Sequence, residues 1–173
     1  MMYNIHISGI LAFSLLTNLL YAGDTLEQVI VKYVNCDSIY PNKNYVIKLS
    51  LYNDSTEDGN NAEFNLFQSE TKLYTDSIFS STRQIEFADF NNDDIQDILI
   101  QNSSDVRSNW TYNLYVVDLK NNKLTKIKGF EEIKNPRYNH STKKIESYVI
   151  SGTNRIEFYK TQSDSIIKLQ TNK

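Results

Sequence analysis

The residues best suited to chemistry in this sequence form an acidic loop of nine residues, 89–97. Alternate groups in a tight loop face one side, so oxygens at positions 1, 3, 5 and 9 and a carbonyl at position 7 can surround a hard cation. These positions hold Asp89, Asn91, Asp93, Asp97 and, through its backbone carbonyl, Ile95. A cation such as Ca2+ also relieves the repulsion among neighbouring carboxylates. The spacing therefore predicts a calcium site.

A second interpretation of this loop is an ordinary solvated turn. Asn and Asp favour turns because their side chains hydrogen-bond to the backbone. Position 6, where calcium loops place Gly to allow φ > 0, is occupied by Asp94. The flanking residues 85–87 and 98–100 have the pattern of strands, which excludes a helix-flanked EF-hand. We favour the calcium interpretation because the oxygen-bearing side chains are correctly spaced between two strands.

The elements that must position this loop are β-strands. Apolar and polar residues alternate with a period of two along most of the chain after residue 23. The longest stripe consists of Trp110, Tyr112, Leu114 and Val116, with Thr111 and Asn113 opposite. Polar clusters at residues 53–61, 120–123, 135–142 and 152–154 predict turns, and residues 130–134 predict one helical turn. We expect an all-β protein of about ten antiparallel strands.

Three segments share an alternating strand with an aromatic residue at its end. They begin at Phe64, Tyr112 and Ile156, which are 48 and 44 residues apart, the length of a propeller blade. Each is followed by a strand (72–74, 123–127, 166–169) and preceded by another (45–52, 84–87, 145–150). Three units are too few for a typical closed propeller. We therefore expect consecutive antiparallel meanders packed face to face, as a sandwich or a partial propeller-like domain, although hairpins also resemble one another by chance.

The first 22 residues have the features of a signal peptide. They contain no Lys, Arg, Asp or Glu, and an apolar stretch runs through residues 7–20. The stretch is too short, and too often interrupted by polar residues, for a stable membrane span. The small residue Ala22 precedes the expected cleavage point. We expect residues 23–173 to form a single all-β domain that is periplasmic or secreted, without a stable membrane span.

The two halves of this domain carry opposite charge. Residues 23–105 contain 5 Lys and Arg against 15 Asp and Glu, whereas residues 106–173 contain 13 against 6. The halves either attract each other on folding or present a polarised surface to a charged partner. No compact run of Lys and Arg is interleaved with aromatic residues, so nucleic-acid binding is not expected.

Residues 23–173 contain few side chains suited to catalysis, since His140 is the only histidine and Cys36 the only cysteine there. A nucleophile–histidine arrangement would depend on His140, which lies in a predicted turn, and no Gly-x-Ser-x-Gly motif accompanies it. Zinc-binding histidine clusters and glycine-rich phosphate loops are absent from the sequence. A hydrolase that uses a pair of carboxylates is an alternative that the sequence leaves open, but we expect a protein that is not an enzyme. Cys36 is interpreted as a buried apolar residue or a free thiol.

The loop and the segments after it resemble a known family. Residues 89–98 (Asp-Phe-Asn-Asn-Asp-Asp-Ile-Gln-Asp-Ile) are similar to the FG-GAP/VCBS loop of propeller-type extracellular proteins. A Tyr-rich strand ending in Asp (112–118), a strand region (123–130), an Asn-Pro segment (135–139) and an Ile-x-Ser segment (144–147) follow in order. This order resembles a family of bacterial periplasmic or lipid-anchored proteins. Some members are immunity proteins that inhibit lysozyme-like effectors delivered by type IV secretion systems.

This resemblance implies a calcium-stabilised β fold whose surface loops bind a partner protein, with the loop residues named above as calcium ligands. Lysozyme inhibitors of related fold present a Ser-Gly-x-x-Tyr loop, and here Ser151 and Gly152 are followed by Arg155 in place of Tyr. Aromatic and Arg side chains are common interface anchors. The candidate partner-binding residues are Trp110, Arg137, Tyr138, Ser151 and Gly152.

Two functions are consistent with this sequence. One is an exported binding protein, such as an inhibitor or immunity protein against a peptidoglycan-cleaving enzyme. In that case the aromatic residues of the basic half, among them Trp110 and Tyr112, contact the partner. The other is a structural or surface-associated module in which calcium only stabilises the fold and these aromatic residues fill the core.

Overall fold

A computed structural model describes residues 28–105 and 107–170 of the chain, with side chains described from Lys32 onward. The predicted signal peptide lies outside the described residues. Within them are 12 strands and a single 3₁₀ turn, Phe130–Glu132, which confirms the all-β class and the helical turn predicted at this position. No helix in this part of the chain has the length and apolar character needed to cross a membrane.

The strands form three antiparallel meanders, each of four strands consecutive in sequence. The first sheet comprises β1 (Gln28–Asn35), β2 (Tyr45–Tyr52), β3 (Ala62–Gln68) and β4 (Thr71–Ile78). The middle sheet comprises β5 (Ile85–Ala88), β6 (Asp97–Ser104), β7 (Trp110–Asp118) and β8 (Lys123–Lys126). The third comprises β9 (Pro136–Asn139), β10 (Lys144–Val149), β11 (Arg155–Gln162) and β12 (Ser165–Lys168). The predicted succession of antiparallel meanders is confirmed.

The repeat seen in the sequence corresponds to the strand order within these sheets. The three aligned segments, which begin at Phe64, Tyr112 and Ile156, lie in β3, β7 and β11, the third strand of each sheet. The strand predicted at residues 84–87 is present, but it is not adjacent to β7. Residues 84–87 contribute to β5, the first strand of the middle sheet, and β6 lies between β5 and β7.

Two strands were missed by the prediction of about ten, namely β1 and β9. The sequence predicts a polar turn at residues 135–142, which is wrong for Pro136–Asn139, the residues of β9. Pairing explains the difference, because Tyr138 lies opposite Ile145 of β10 and packs against a buried cluster. A true turn follows, closed by the Asn139 side chain, which accepts the backbone N–H groups of Ser141 and Thr142.

The middle sheet is covered on both faces. Ile98, Ile100 and Tyr115 pack against the inner face of the first sheet in one buried cluster. Leu99 and Leu114, on the opposite face, belong to a second buried cluster that includes Ile145 of the third sheet. Thr111 and Asn113 lie on the face opposite Tyr112, as predicted, and both are buried, with 7% and 5% of their surface exposed. The three sheets therefore stack face to face.

Cys36 is buried in the first of these clusters. Its Sγ lies 3.6 Å from the carbonyl oxygen of Val34, and burial raises the thiol pKa to about 11. The thiol therefore stays protonated at neutral pH and serves as a small apolar side chain, which is one of the two predicted roles.

Candidate functional site

The acidic loop connects β5 to β6 in the middle sheet, and its own side chains hold it closed. Asp89 accepts the backbone N–H groups of Asn91, Asn92 and Asp94 at 3.1, 2.6 and 3.0 Å. The backbone N–H of Ile95 donates to the Asp93 carboxylate at 2.9 Å. Short Asx bonds of this kind let Asn and Asp stabilise a tight turn.

The backbone at position 6 accommodates Asp94 in a conformation that calcium loops usually assign to Gly. Asp94 has φ 63°, and Asn92 also has φ 63°, both in the left-handed region. Asn and Asp enter this region more readily than other residues with side chains, because they can hydrogen-bond locally. The absence of Gly is therefore compatible with the turn that a cation loop requires.

Asp97 anchors the end of the loop inside the middle sheet. Its side chain is fully buried, and its two oxygens accept the backbone N–H groups of Phe90 at 2.9 Å and Val117 at 3.1 Å. Burial raises the pKa of this carboxyl to about 7, and the charges of Asp93 and Asp89 add to the effect, although the two N–H donors oppose it. The loop thus holds a buried carboxyl whose ionisation a nearby positive charge would favour.

The oxygen ligands that the loop offers are of the type that a hard cation prefers. A carboxylate or amide oxygen that accepts one N–H group keeps a second lone pair, so Asp89 Oδ2, Asn91 Oδ1 and Asp93 Oδ1 can each accept an amide and still face an ion. Among the described residues, no three His, Cys, Asp or Glu side chains form a group arranged to hold a metal. An ion here would depend equally on the Asn91 amide oxygen and the Ile95 carbonyl, so calcium binding stays a prediction.

One end of a cleft lies against this loop. The cleft has a volume of about 650 Å³ and separates β5 and β7 of the middle sheet from β9 of the third sheet. Its size falls within the range of about 300–1,000 Å³ found for small-molecule sites. The lining includes five aromatic residues and several charged ones, notably Glu86, Asp89, Trp110, Tyr112, Arg137 and Tyr138.

Asn135 fixes the two walls of the cleft relative to each other. Its Oδ1 accepts the backbone N–H of Trp110 at 2.9 Å, and its own backbone N–H donates to the Trp110 carbonyl at 2.7 Å. Its Nδ2 donates to the Tyr148 carbonyl of the third sheet at 2.8 Å. Asn135 has φ 45°, a conformation to which Asn is better suited than most residues. The Asn135 side chain therefore ties the wall holding Trp110 to the third sheet.

The loop is joined to the third sheet by ring packing. The Phe90 and Tyr138 ring centroids lie 6.3 Å apart, and the Tyr138 and His140 centroids lie 5.1 Å apart. His140 Nδ1 lies 3.3 Å from Oδ1 of Asn92. His140 is exposed in a turn, as predicted, but it also contacts the loop. A change in loop conformation would therefore reach the cleft wall.

The structure brings three of the five candidate partner-binding residues together, because Trp110, Arg137 and Tyr138 all line the cleft. Ser151 and Gly152 lie elsewhere, in the turn between β10 and β11, where Ser151 Oγ donates to the Thr153 carbonyl at 2.6 Å. Trp110 and Tyr112 are both half-buried and line the cleft, so they are neither wholly core residues nor fully exposed.

An apolar surface on the third sheet was not predicted. Tyr148, Ile150 and Ile156 are 37%, 42% and 49% exposed. Tyr148 pairs with Ile156, and the next outward pair joins Glu146 to Phe158, so these side chains share the face turned away from the middle sheet. We call the surface formed by Tyr148, Ile150, Ile156 and Phe158 the outer face. Its signal in the sequence is a hydrophobic residue at each of the positions 148, 149 and 150, in place of alternation.

Sequence reasoning also missed the residues that shape the cleft, namely Glu86, Asn135 and the contacts of His140. Glu86 Oε1 accepts the Tyr112 hydroxyl at 3.0 Å across the sheet. The signal available for Asn135 was an Asn before Pro136, which was interpreted only as a turn. The resemblance to calcium-loop proteins and immunity proteins rests on sequence motifs alone and stays a hypothesis. No family model, curated protein or solved structure was found to match this chain.

Proposed function

We propose that this chain is an exported calcium-binding β protein that acts by contact with a partner protein through the outer face. The observation that supports docking most directly is the exposure of Tyr148, Ile150 and Ile156 side by side on one sheet. Contiguous exposed apolar surface with a polar rim is typical of protein-interaction sites. The turn holding Ser151 and Gly152, two of the predicted partner-binding residues, borders this surface.

The charges around the outer face favour an acidic partner surface. Lys144, Lys160 and Arg137 are exposed there, against one carboxylate, Glu146. Enzymes that cleave glycosidic bonds carry a pair of Asp or Glu side chains at the scissile bond. A peptidoglycan-cleaving enzyme of the lysozyme type, which is the partner class suggested by the resemblance, therefore presents complementary charge in its cleft. Complementary charge increases the association rate and the specificity of such a complex.

The calcium loop has a supporting role in this proposal. Asp89, Asn91, Asp93, Asp97 and the carbonyl of Ile95 would hold the ion, which supplies positive charge beside crowded carboxylates. One observation favours the second candidate function, a structural module stabilised by calcium. Asp97 hydrogen-bonds to the backbone of Val117 in β7, so the loop is coupled directly to the middle sheet, whereas none of its residues belongs to the outer face.

Inhibition of a lysozyme-type enzyme tests the docking proposal. The purified protein lacking residues 1–22 is mixed with enzymes of this class, and lysis of peptidoglycan is measured. We expect inhibition that is lost in Ile156→Asp, because a carboxylate there interrupts the apolar surface. Tyr33→Asp is the matched control, since Tyr33 is 61% exposed but lies on β1 of the first sheet. Equal inhibition by both variants, or none by the wild type across the panel, would refute the proposal.

Thermal unfolding in EDTA and in millimolar calcium tests the ion site. An ion that binds only the folded state adds about 2.7 kcal/mol of stability at a hundredfold excess over Kd. We expect the rise in Tm to disappear in Asp93→Ala and to persist in Asp54→Ala, which removes an exposed carboxylate outside the loop. If inhibition survives in EDTA while the calcium effect on Tm is present, calcium stabilises the fold and does not take part in docking.

A further inference from the structure

The docking proposal assigns no role to the cleft between the middle and third sheets. We propose that this cleft is a binding site for a neutral saccharide. Trp110, Tyr112 and Tyr138 supply aromatic rings at its walls. The C–H face of a sugar ring is apolar and packs on such rings, while its hydroxyl groups hydrogen-bond to polar groups around them.

The polar groups in the cleft match hydroxyl groups in both hydrogen-bonding directions. Glu86, Asp89 and Asp94 supply carboxylate acceptors, whereas the Trp110 indole N–H and the Tyr138 hydroxyl supply donors. Each sugar hydroxyl donates one hydrogen bond and accepts others, so a saccharide can use both kinds of group. A simple anion would meet three carboxylates, and a simple cation could not accept hydrogen bonds from the neutral indole N–H and phenol hydroxyl. The mixed lining therefore favours an uncharged ligand rich in hydroxyl groups.

Glu86 is oriented before any ligand arrives. Its Oε1 accepts the Tyr112 hydroxyl at 3.0 Å and the Gln84 Nε2–H at 2.8 Å. Among the described residues no donor contacts its Oε2, and the side chain is half-buried at the cleft wall. A carboxylate held in this way can accept a ligand hydroxyl through the second oxygen without losing its existing bonds. Asn135 adds to this preorganisation, because it fixes the Trp110 backbone to the third sheet.

The fluorescence of Trp110 provides a direct measurement, because it is the only tryptophan in the chain. We would titrate the full protein with soluble neutral tetrasaccharides, one of β-1,4-linked glucose, one of α-1,4-linked glucose and one of β-1,4-linked N-acetylglucosamine. Sedimentation with the matching insoluble polymers then separates recognition of free oligosaccharides from recognition of polymer surfaces. We expect a saturable change in emission with at least one tetrasaccharide.

The variant Glu86→Gln keeps the size of the side chain but removes its charge. We expect it to weaken binding about tenfold, because a hydrogen bond to a charged acceptor contributes more than one to a neutral amide. Tyr148→Ala, on the outer face, is the control and should bind as the wild type does. Thermal unfolding of both variants shows whether the fold is retained. If Glu86→Gln does not fold, Tyr112→Phe is measured in its place, because it removes only the hydroxyl that holds Glu86.

Three results would overturn the saccharide proposal. The first is no saturable change with any of the tetrasaccharides up to about 10 mM, a concentration at which even weak sites with Kd near 1 mM fill. The second is equal binding by the wild type and Glu86→Gln. The third is a response to choline chloride that the saccharides do not produce, which would make the cleft a cation site. Ile156→Asp should leave saccharide binding intact, so failure of the docking proposal is distinguishable from failure of this one.

Discussion

The buried carboxyl of Asp97 gives the protein an unusual dependence of stability on pH when metal is removed. Burial raises its pKa in the folded state from 3.8 to about 7. Between these two pH values the folded protein keeps the Asp97 proton while the unfolded chain releases it. The contribution of Asp97 to the stability of the protein is therefore greatest below about pH 4 and falls as pH rises toward 7. Ordinary surface carboxylates paired with cations have the opposite dependence.

The magnitude follows from the width of this pH range. The two pKa values lie about three pH units apart, and each unit corresponds to about 1.4 kcal/mol. Ionisation of Asp97 thus removes about 4 kcal/mol from the free energy of unfolding of metal-free protein by neutral pH, a large share of the 5–15 kcal/mol typical of a domain. A bound cation favours the ionised form and should cancel this loss.

Urea unfolding in EDTA at intervals from pH 4 to pH 7 measures the effect, with Asp97→Asn as the matched variant. The variant should be less stable at pH 4, since its amide cannot accept both backbone N–H groups that Asp97 accepts. Other titrating groups are common to both proteins, so the difference between the two curves isolates Asp97. We expect the advantage of the wild type to shrink as pH rises. A constant difference from pH 4 to pH 7 would refute the reasoning.

Three further substitutions test the packing of the sheets by urea unfolding. Phe130→Ala empties a fully buried position in the second core and should cost about 3–5 kcal/mol; a cost below 1 kcal/mol would contradict the assigned burial. Tyr115→Phe removes the hydroxyl that donates to Asp76 at 2.7 Å and should cost about 1.5–3 kcal/mol, with no loss contradicting that bond. Asn109→Ala leaves the N–H and C=O groups of Ile150 without their side-chain partner and should cost about 1–3 kcal/mol, whereas a neutral result would mean that water replaces the amide.

The fold class was accessible from the sequence because period-two alternation is a local property. Strands such as β2 and β3 have one buried face, and residues such as Ile47 and Leu66 mark it clearly. The segment Pro136–Asn139 has only four residues, too few for alternation to identify it, and becomes a strand through pairing with β10. Strands formed by tertiary pairing leave little trace in a single sequence.

The burial of Thr111 and Asn113 could not be predicted for a related reason. Alternation indicates which residues share a face, but it does not say whether the polar face meets solvent or another sheet. Thr111 is buried because the first sheet covers this face, and its Oγ1 accepts the backbone N–H of Ser103 at 3.2 Å. Polar residues on a covered face satisfy their hydrogen bonds within the sheet.

The candidate site likewise contains residues that could be predicted from the sequence and residues that could not. The loop residues Asp89 and Asp93 could be identified because a cation loop is a continuous segment, and its spacing is visible in the sequence. Trp110 and Tyr138 belong to different sheets, and they line one cleft only after the middle and third sheets stack. The cleft and the outer face are products of that stacking, so neither could be derived from the order of residues alone.

The position of the middle sheet also determines how the protein exchanges its amide hydrogens. Opening of the first or the third sheet exposes one face of the middle sheet, whereas opening of the middle sheet exposes both buried clusters. The amides of β6 and β7 should therefore exchange only through global unfolding, and those of β4 and β12, which are edge strands of the outer two sheets, through local opening. The middle sheet is then the cooperative unit on which the order of the outer two depends.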